Sequence, residues 1–250
     1  DSFESEGQVD ITLFRNRIVN GGFSLWGRGD RFTPALNASI TADRWHFSNS
    51  TDAKVDVAKI EKLDRPINGG VSPPSSGIEF CCSAPADKTF PEDSCGIEYR
   101  MKGFDFRLVA FRPFVLSFYV RSSVVGRYAV ALKNSGLDTT FLKMFEVSSE
   151  NSWQRIVIPI PPQPPSGDWN FSKGVGLKIQ FSLSAGKKMF GEVEGWQPGN
   201  LKVTPDCIDF CTIKEATFGL ASVQLEEGEE ATEFEQRSFQ HEQQLVLSSA

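Results

Sequence analysis

The chain reads as an all-β protein, an antiparallel β-sandwich, and three observations lead there. Residues 114–121 and 175–183 alternate apolar and polar side chains with a period of two. Phenylalanine is used 21 times against three tyrosines, which suits a deep core between two sheets. Long connections rich in proline and glycine separate the strand-like runs, and no convincing amphipathic helix appears between them.

Taken in order, residues 1–15 read as an N-terminal arm, with acidic residues and one apolar patch, Val9-Ile11-Leu13-Phe14, that could pack on a neighbouring subunit. The opening DSFESEGQVD has neither a basic nor an apolar leader stretch, so no secretory signal is expected in it. Residues 16–237 form the domain and 238–250 a polar C-terminal tail, in which helical spacing would let Leu245 pack on a partner. Asn16 to Phe47 organises the domain: an apolar pair, Ile18-Val19, breaks at Asn20-Gly21-Gly22. Trp26 then stands with Arg28 and Asp30, and Trp45 with Asp43 and Arg44. A strand, a tight turn and two indole rings closing one end of a core account for this stretch, its buried aspartates held by arginine or backbone N–H.

In the first alternating run Phe114, Leu116, Phe118 and Val120 share one face, and Val115, Ser117, Tyr119 and Arg121 the other. In the second, Val175, Leu177, Ile179, Phe181 and Leu183 alternate with Gly176, Lys178, Gln180 and Ser182. Further strands are expected at 78–82, 127–133, 141–147, 153–160 and 217–225, with turns at Gly126 and at Asn134-Ser135-Gly136. Residues 61–76 and 161–174 are proline-rich surface connections, and 184–216 is longer than a passive loop.

Composition excludes several functions. A net charge of −6 argues against nucleic acid as the principal partner. No apolar run is long enough to insert in a membrane as a helix. The only histidines are His46 and His241, and no nucleophile elbow, phosphate loop or zinc-protease motif accompanies them. The 32 acidic residues make a fitting carboxylate pair inevitable somewhere, so the count does not argue for a glycosidase. The acidic run Glu226 to Glu235 reads as a solvated turn. No catalytic residue, metal or cofactor is therefore assigned. The five cysteines, Cys81, Cys82, Cys95, Cys207 and Cys211, lack zinc-site spacing, and a bridge between the first three and the last two stays open.

Binding is better served. Sugar C–H faces stack on aromatic rings while amides read the hydroxyls, and Trp169 with Asn170, and Trp196 with Gln197 and Asn200, offer that chemistry on long connections. Both indoles serve equally as caps on the core beneath their loops, and the sequence leaves the choice open.

The pattern N-G-G-F-x-x-W-x-R-G-x-x-F followed by A-D-R-W resembles the start of a jelly-roll module of bacteriophage tail-fibre and receptor-binding proteins, modules described as carbohydrate-binding-like. Similar segments follow in the family's order: 96–106, 114–123, 153–160, 176–183, 196–200, 223–228 and 231–237. The resemblance implies a jelly roll in which Trp26, Arg28, Asp43, Arg44, Trp45 and Trp153 are structural. It implies a virion protein on the phage surface, binding a polysaccharide or glycan of the host cell, contacting other virion proteins and assembling as a homo-oligomer, commonly a trimer. A capsid decoration, head fibre or adaptor, and a polysaccharide depolymerase or esterase, are the alternatives.

Overall fold

The computed structural model describes residues 10–61, 63 and 76–248. Its thirteen strands are β1 (Arg31–Phe32), β2 (Ser39–Ile40), β3 (Trp45–Asn49), β4 (Lys54–Ile60), β5 (Gly77–Ala84), β6 (Ser94–Lys102) and β7 (Phe114–Ser122), then β8 (Gly126–Asn134), β9 (Thr139–Val147), β10 (Gln154–Ile160), β11 (Val175–Ala185), β12 (Gly195–Pro198) and β13 (Thr217–Glu227). A single helical turn, α1 (Gly103–Phe106), follows β6, and α2 (Phe239–Ser248) closes the described chain.

Two antiparallel sheets face each other as a jelly-roll sandwich. One has six strands in the order β1-β4-β5-β13-β7-β10, and the other seven in the order β12-β9-β8-β11-β6-β3-β2. The chain changes sheet at most connections, so sequence neighbours become opposite layers. The seven strands expected from alternation and turn signals are present, with ends shifted by one or two residues, but the strand expected at Ile18-Val19 is not formed, Val19 already lying in the turn. β1 to β4 and β12 went unforeseen, and the segment 96–100, noted only for its family-like sequence, belongs to the interior strand β6.

Period-two patterning explains the core. Phe114, Leu116, Phe118 and Val120 of β7 meet Leu177, Ile179, Phe181 and Leu183 of β11 across the sandwich, all essentially buried. The Phe118 and Phe181 rings meet edge to face at 4.9 Å. The opposite face of β7 is also covered. Tyr119 packs with Trp153 and Ala221 in a small outer cluster, and the Arg121 guanidinium lies 5.0 Å from the Trp153 ring centre.

The Asn16–Phe47 stretch packs into one end of the core. Trp45 is fully buried against Phe23 at 4.8 Å and Tyr99 at 5.3 Å, and its Nε1–H donates to the Asn20 carbonyl. Asn20 has φ 56° and its amide donates to the carbonyls of Leu25 and Asp43, closing the turn. Trp26 is only partly buried and donates to the Phe23 carbonyl at 2.7 Å. Asp43 accepts the Gly27 N–H at 3.0 Å and lies 3.5 Å from Arg28, while Asp30 is exposed. Arg44, at φ 77°, reaches the Arg100 carbonyl.

The ends fold back on this chain. Of the arm's apolar patch, Val9 lies outside the described residues. Ile11 is buried in the main core, and Phe14 sits under the Arg237 guanidinium at 4.7 Å. Residues 239–248 form a helix, as the spacing in the tail allowed, but Leu245, read as a contact for a partner, is 1% exposed in the protein's own core. The acidic run is not a simple solvated turn. Glu226 is 4% exposed and accepts from Gln224 and Thr232, and Glu235 accepts the backbone N–H groups of Arg15 and Asn16. Of the connection 61–76, only residues 61, 63 and 76 are described. All five cysteines are free. Burial pushes the Cys82 thiol up to about 12 and Cys95 higher than its ordinary value, so these thiols are inert packing groups. No described helix is long and apolar enough to cross a membrane.

Candidate functional site

The site is a cleft on the outer face of the seven-stranded sheet. Strand register builds its floor. His46 of β3 pairs with Glu98 of β6, and Glu98 with Gln180 of β11, giving one row of outward side chains across three strands. The next row runs from Arg100 of β6 through Lys178 of β11 to Lys133 of β8. Alternation forces this, because Leu177, Ile179 and Leu132, the neighbours of these residues, point into the core.

Residues 186–208 make the wall. They lay Val203 and Phe190 over Ala129 and Ala131 of β8 and Leu142 of β9, forming a second apolar cluster that covers that half of the sheet. At the boundary this strap presents Asn200 and Lys202 to the cleft. The space measures about 270 Å³, and Ala38 and Leu137 also line it.

Its hydrogen bonds are specific. The Lys133 ammonium, 2% exposed, donates to Gln180 Oε1 at 2.7 Å and to Asn200 Oδ1 at 2.8 Å. Lys202 donates to Ser94 Oγ at 2.6 Å. The Arg100 guanidinium holds Glu98 at 2.7 Å. Burial, reinforced by Lys202 and Lys178, drives Lys133 well below the ordinary lysine value, with Glu98 opposing. Burial likewise lowers Lys202. His46 falls to about 4, chiefly through burial and then the Arg100 charge, so its imidazole is neutral at pH 7.

The residues singled out for sugar contact divide between two places. Asn200 is in the cleft. Trp169 and Trp196 come together elsewhere, edge to face at 5.6 Å, both partly buried against the main core. Phe106 lies 5.5 Å from Trp169 and Phe141 5.4 Å from Trp196. Their indole N–H groups donate to the Ser166 and Pro161 carbonyls, which ties down both loops. The Asn170 side chain closes its own turn, accepting from Ser172 N–H at 2.9 Å and donating to the Lys173 carbonyl. The Gln197 amide donates to the Val193 and Gly195 carbonyls. The signature residues Trp26, Arg28, Asp43, Arg44, Trp45 and Trp153 line none of this cleft.

Sequence reading missed His46, Glu98, Arg100, Lys133, Lys178, Gln180 and Lys202 as a group. The signal for part of it was present, since Lys178 and Gln180 stand on the polar face of a clean alternation. What one-dimensional reading lacks is which strands lie side by side. Among the described residues no group of His, Cys, Asp and Glu could hold a metal ion.

Fold and site together describe a jelly-roll sandwich with a polar, cation-rich cleft on one sheet. No protein-family model matches the chain, and no curated protein matches it. Solved structures resemble it at low identity. One is the enzymatically active domain of tailspike protein 4 of bacteriophage CBA120, at 12% identity over 85% of this chain with a TM-score of 0.45; the match spans 21% of that tailspike chain. A second is TmCBM61 in complex with β-1,4-galactotriose, at 13% identity over 86% of this chain and 100% of that one, TM-score 0.42. A third is a family 11 carbohydrate-binding module from Clostridium thermocellum in complex with a β-1,3-1,4-mixed-linked tetrasaccharide, at 14% identity, 81% and 98% coverage and TM-score 0.39. The likeness is one of overall fold.

Proposed function

We propose that the protein is a non-enzymatic glycan-binding module, displayed on a phage or phage-like particle, that attaches it to polysaccharide on the host surface. The observation that carries the glycan reading is the cleft: a trough floored by side chains from four adjacent strands, β3, β6, β11 and β8. Amide, imidazole, ammonium and guanidinium groups stand there at strand spacing, suited to the closely set hydroxyls of a sugar chain. The particle reading rests on the resemblance of residues 16–240 to phage tail-fibre modules. Weak single sites gain avidity when several copies are held within reach of one surface, so we place the protein there as a homo-oligomer, a trimer by that resemblance.

Binding without chemistry is supported by the cleft's composition. Among the described residues lining it Glu98 is the sole carboxylate, and Arg100 already holds it, whereas glycoside hydrolysis ordinarily uses two carboxylates. Trp169 and Trp196 we assign to buttressing the two loops they anchor.

The test is retention on host cells and across a panel of polysaccharides, with released reducing ends measured in parallel. Retention that a Gln180→Ala/Asn200→Ala variant loses, without polymer shortening, is expected. Retention unchanged in that variant would remove the cleft from the account, and shortening of the polymer would make the protein a depolymerase. Exposed apolar groups favour a second reading, docking on another virion protein. Phe104, Leu108 and Phe111 in and after α1 are 53%, 39% and 58% exposed. Phe104→Ser/Phe111→Ser should then abolish incorporation into particles while leaving glycan retention intact.

A further inference from the structure

The charge of the cleft opposes that of the chain. The whole sequence carries −6, yet Arg100, Lys133, Lys178 and Lys202 line a cleft in which Glu98 is the sole carboxylate among the described residues. Arg100 occupies Glu98, and among the described residues none of the three lysines has a carboxylate within ion-pair distance. Lys133 is the most telling. It is 2% exposed, its partners are two neutral amide oxygens, and a buried amine in that setting is costly in its charged form. An apolar side chain would fill the position at less cost, so the lysine answers to something the cleft receives. A neutral sugar would look for a ring to stack on, and among the described residues no exposed Phe, Tyr or Trp side chain lines this cleft.

We infer that the cleft binds an acidic glycan, with one anionic substituent (carboxylate, sulfate or phosphate) seated between Lys133, Lys178 and Lys202. This rests on the glycan reading above and names the class of glycan. Register supports it, because Lys133 and Lys178 are direct cross-strand partners and Lys178 pairs in turn with Arg100, so the cations adjoin. Gln180, His46 and Asn200 are left to read hydroxyls beside the anion. An arriving anion also stabilises the protonated form of Lys133, which burial, Lys202 and Lys178 disfavour in the empty cleft and Glu98 favours. With His46 held near 4 and Arg100 already charged, proton uptake on binding near pH 7 falls to Lys133 and Lys202, the two lysines that burial lowers.

The experiment is affinity electrophoresis of the intact protein through gels containing matched polymers. The pairs are polygalacturonate and its carboxyl-reduced form, a sulfated galactan and its desulfated form, and a glycerol-phosphate-substituted glycan and its dephosphorylated form. At least one acidic polymer should bind tighter than its neutral partner by about tenfold or more, the worth of one charge-assisted contact. Which pair responds identifies the anion. Lys178→Gln/Lys202→Gln and, separately, Lys133→Met should each remove that preference, with melting temperatures no lower than that of the parent protein. Calorimetry in buffers of different ionisation enthalpy should show proton uptake for the acidic polymer alone. Equal binding of acidic and neutral partners overturns the inference and leaves the glycan reading standing. No retardation by any polymer overturns both. Acidic binding that the lysine variants retain places the anion elsewhere and overturns the inference as well.

Discussion

Arg237 shows how one side chain ties the ends of this chain together. Its guanidinium, 2% exposed, pairs with Glu242 at 3.2 Å and Glu235 at 3.7 Å and donates to the carbonyls of Ile18 and Asn16. Removing one partner of such a group leaves charge buried and unpaired. Arg237→Ala should therefore destabilise the protein by about 3–5 kcal/mol, read from urea unfolding. His46 supplies a second residue-level expectation. Its value in the folded protein, about 4, lies below the ordinary 6.5, so the unfolded chain takes up the proton first. The stability tied to neutral His46 is present above pH 6.5 and is lost as pH falls from 6.5 towards 4. His46→Gln should show a smaller drop in melting temperature between pH 7 and pH 4.5 than the parent, and an equal drop would mean that other groups govern the acid response.

At the scale of elements, close backbone approach and terminal packing matter most. Gly176 at the start of β11 lies against α1: a Cβ there would sit 2.5 Å from Gly103 Cα and 2.7 Å from the Asn170 carbonyl oxygen. Backbone on both sides has nowhere to move. Gly176→Ala should cost about 1–3 kcal/mol by overpacking, visible as a lowered denaturation midpoint. The helix α2 contributes Leu245 to the main core and Glu242 to the Arg237 network. Leu245→Ala should cost about 2–4 kcal/mol, and a melting temperature matching the parent would show that the helix is peripheral. The β strands were legible because alternation is a local property. The helix was hinted at by the spacing around Leu245, but its docking was not legible, since Asn20, whose N–H Glu242 accepts, lies far away in the chain.

For the whole molecule, the sandwich acts as a rigid scaffold whose two outer faces differ. One outer face carries the Tyr119–Trp153–Ala221 cluster, and the other is divided between an apolar strap and an open basic trough. If the trough holds an anionic glycan, binding depends on ionic strength, and raising salt from 50 to 500 mM should weaken a single site severalfold, measurable by titration. Cutting a multivalent assembly to single copies should weaken attachment further.

Read alone, the sequence determined the all-β class and the inward face of each well-patterned strand, and it placed Trp45 at the end of the core. Each follows from period-two alternation or from side-chain chemistry that acts over a few residues. The tertiary structure alone decided that Trp169 and Trp196 meet, that Leu245 belongs to this chain's core, and that lysines from residues 133, 178 and 202 share one trough. Those facts depend on which strands become neighbours across tens of residues, and register between distant segments leaves no mark in the local pattern.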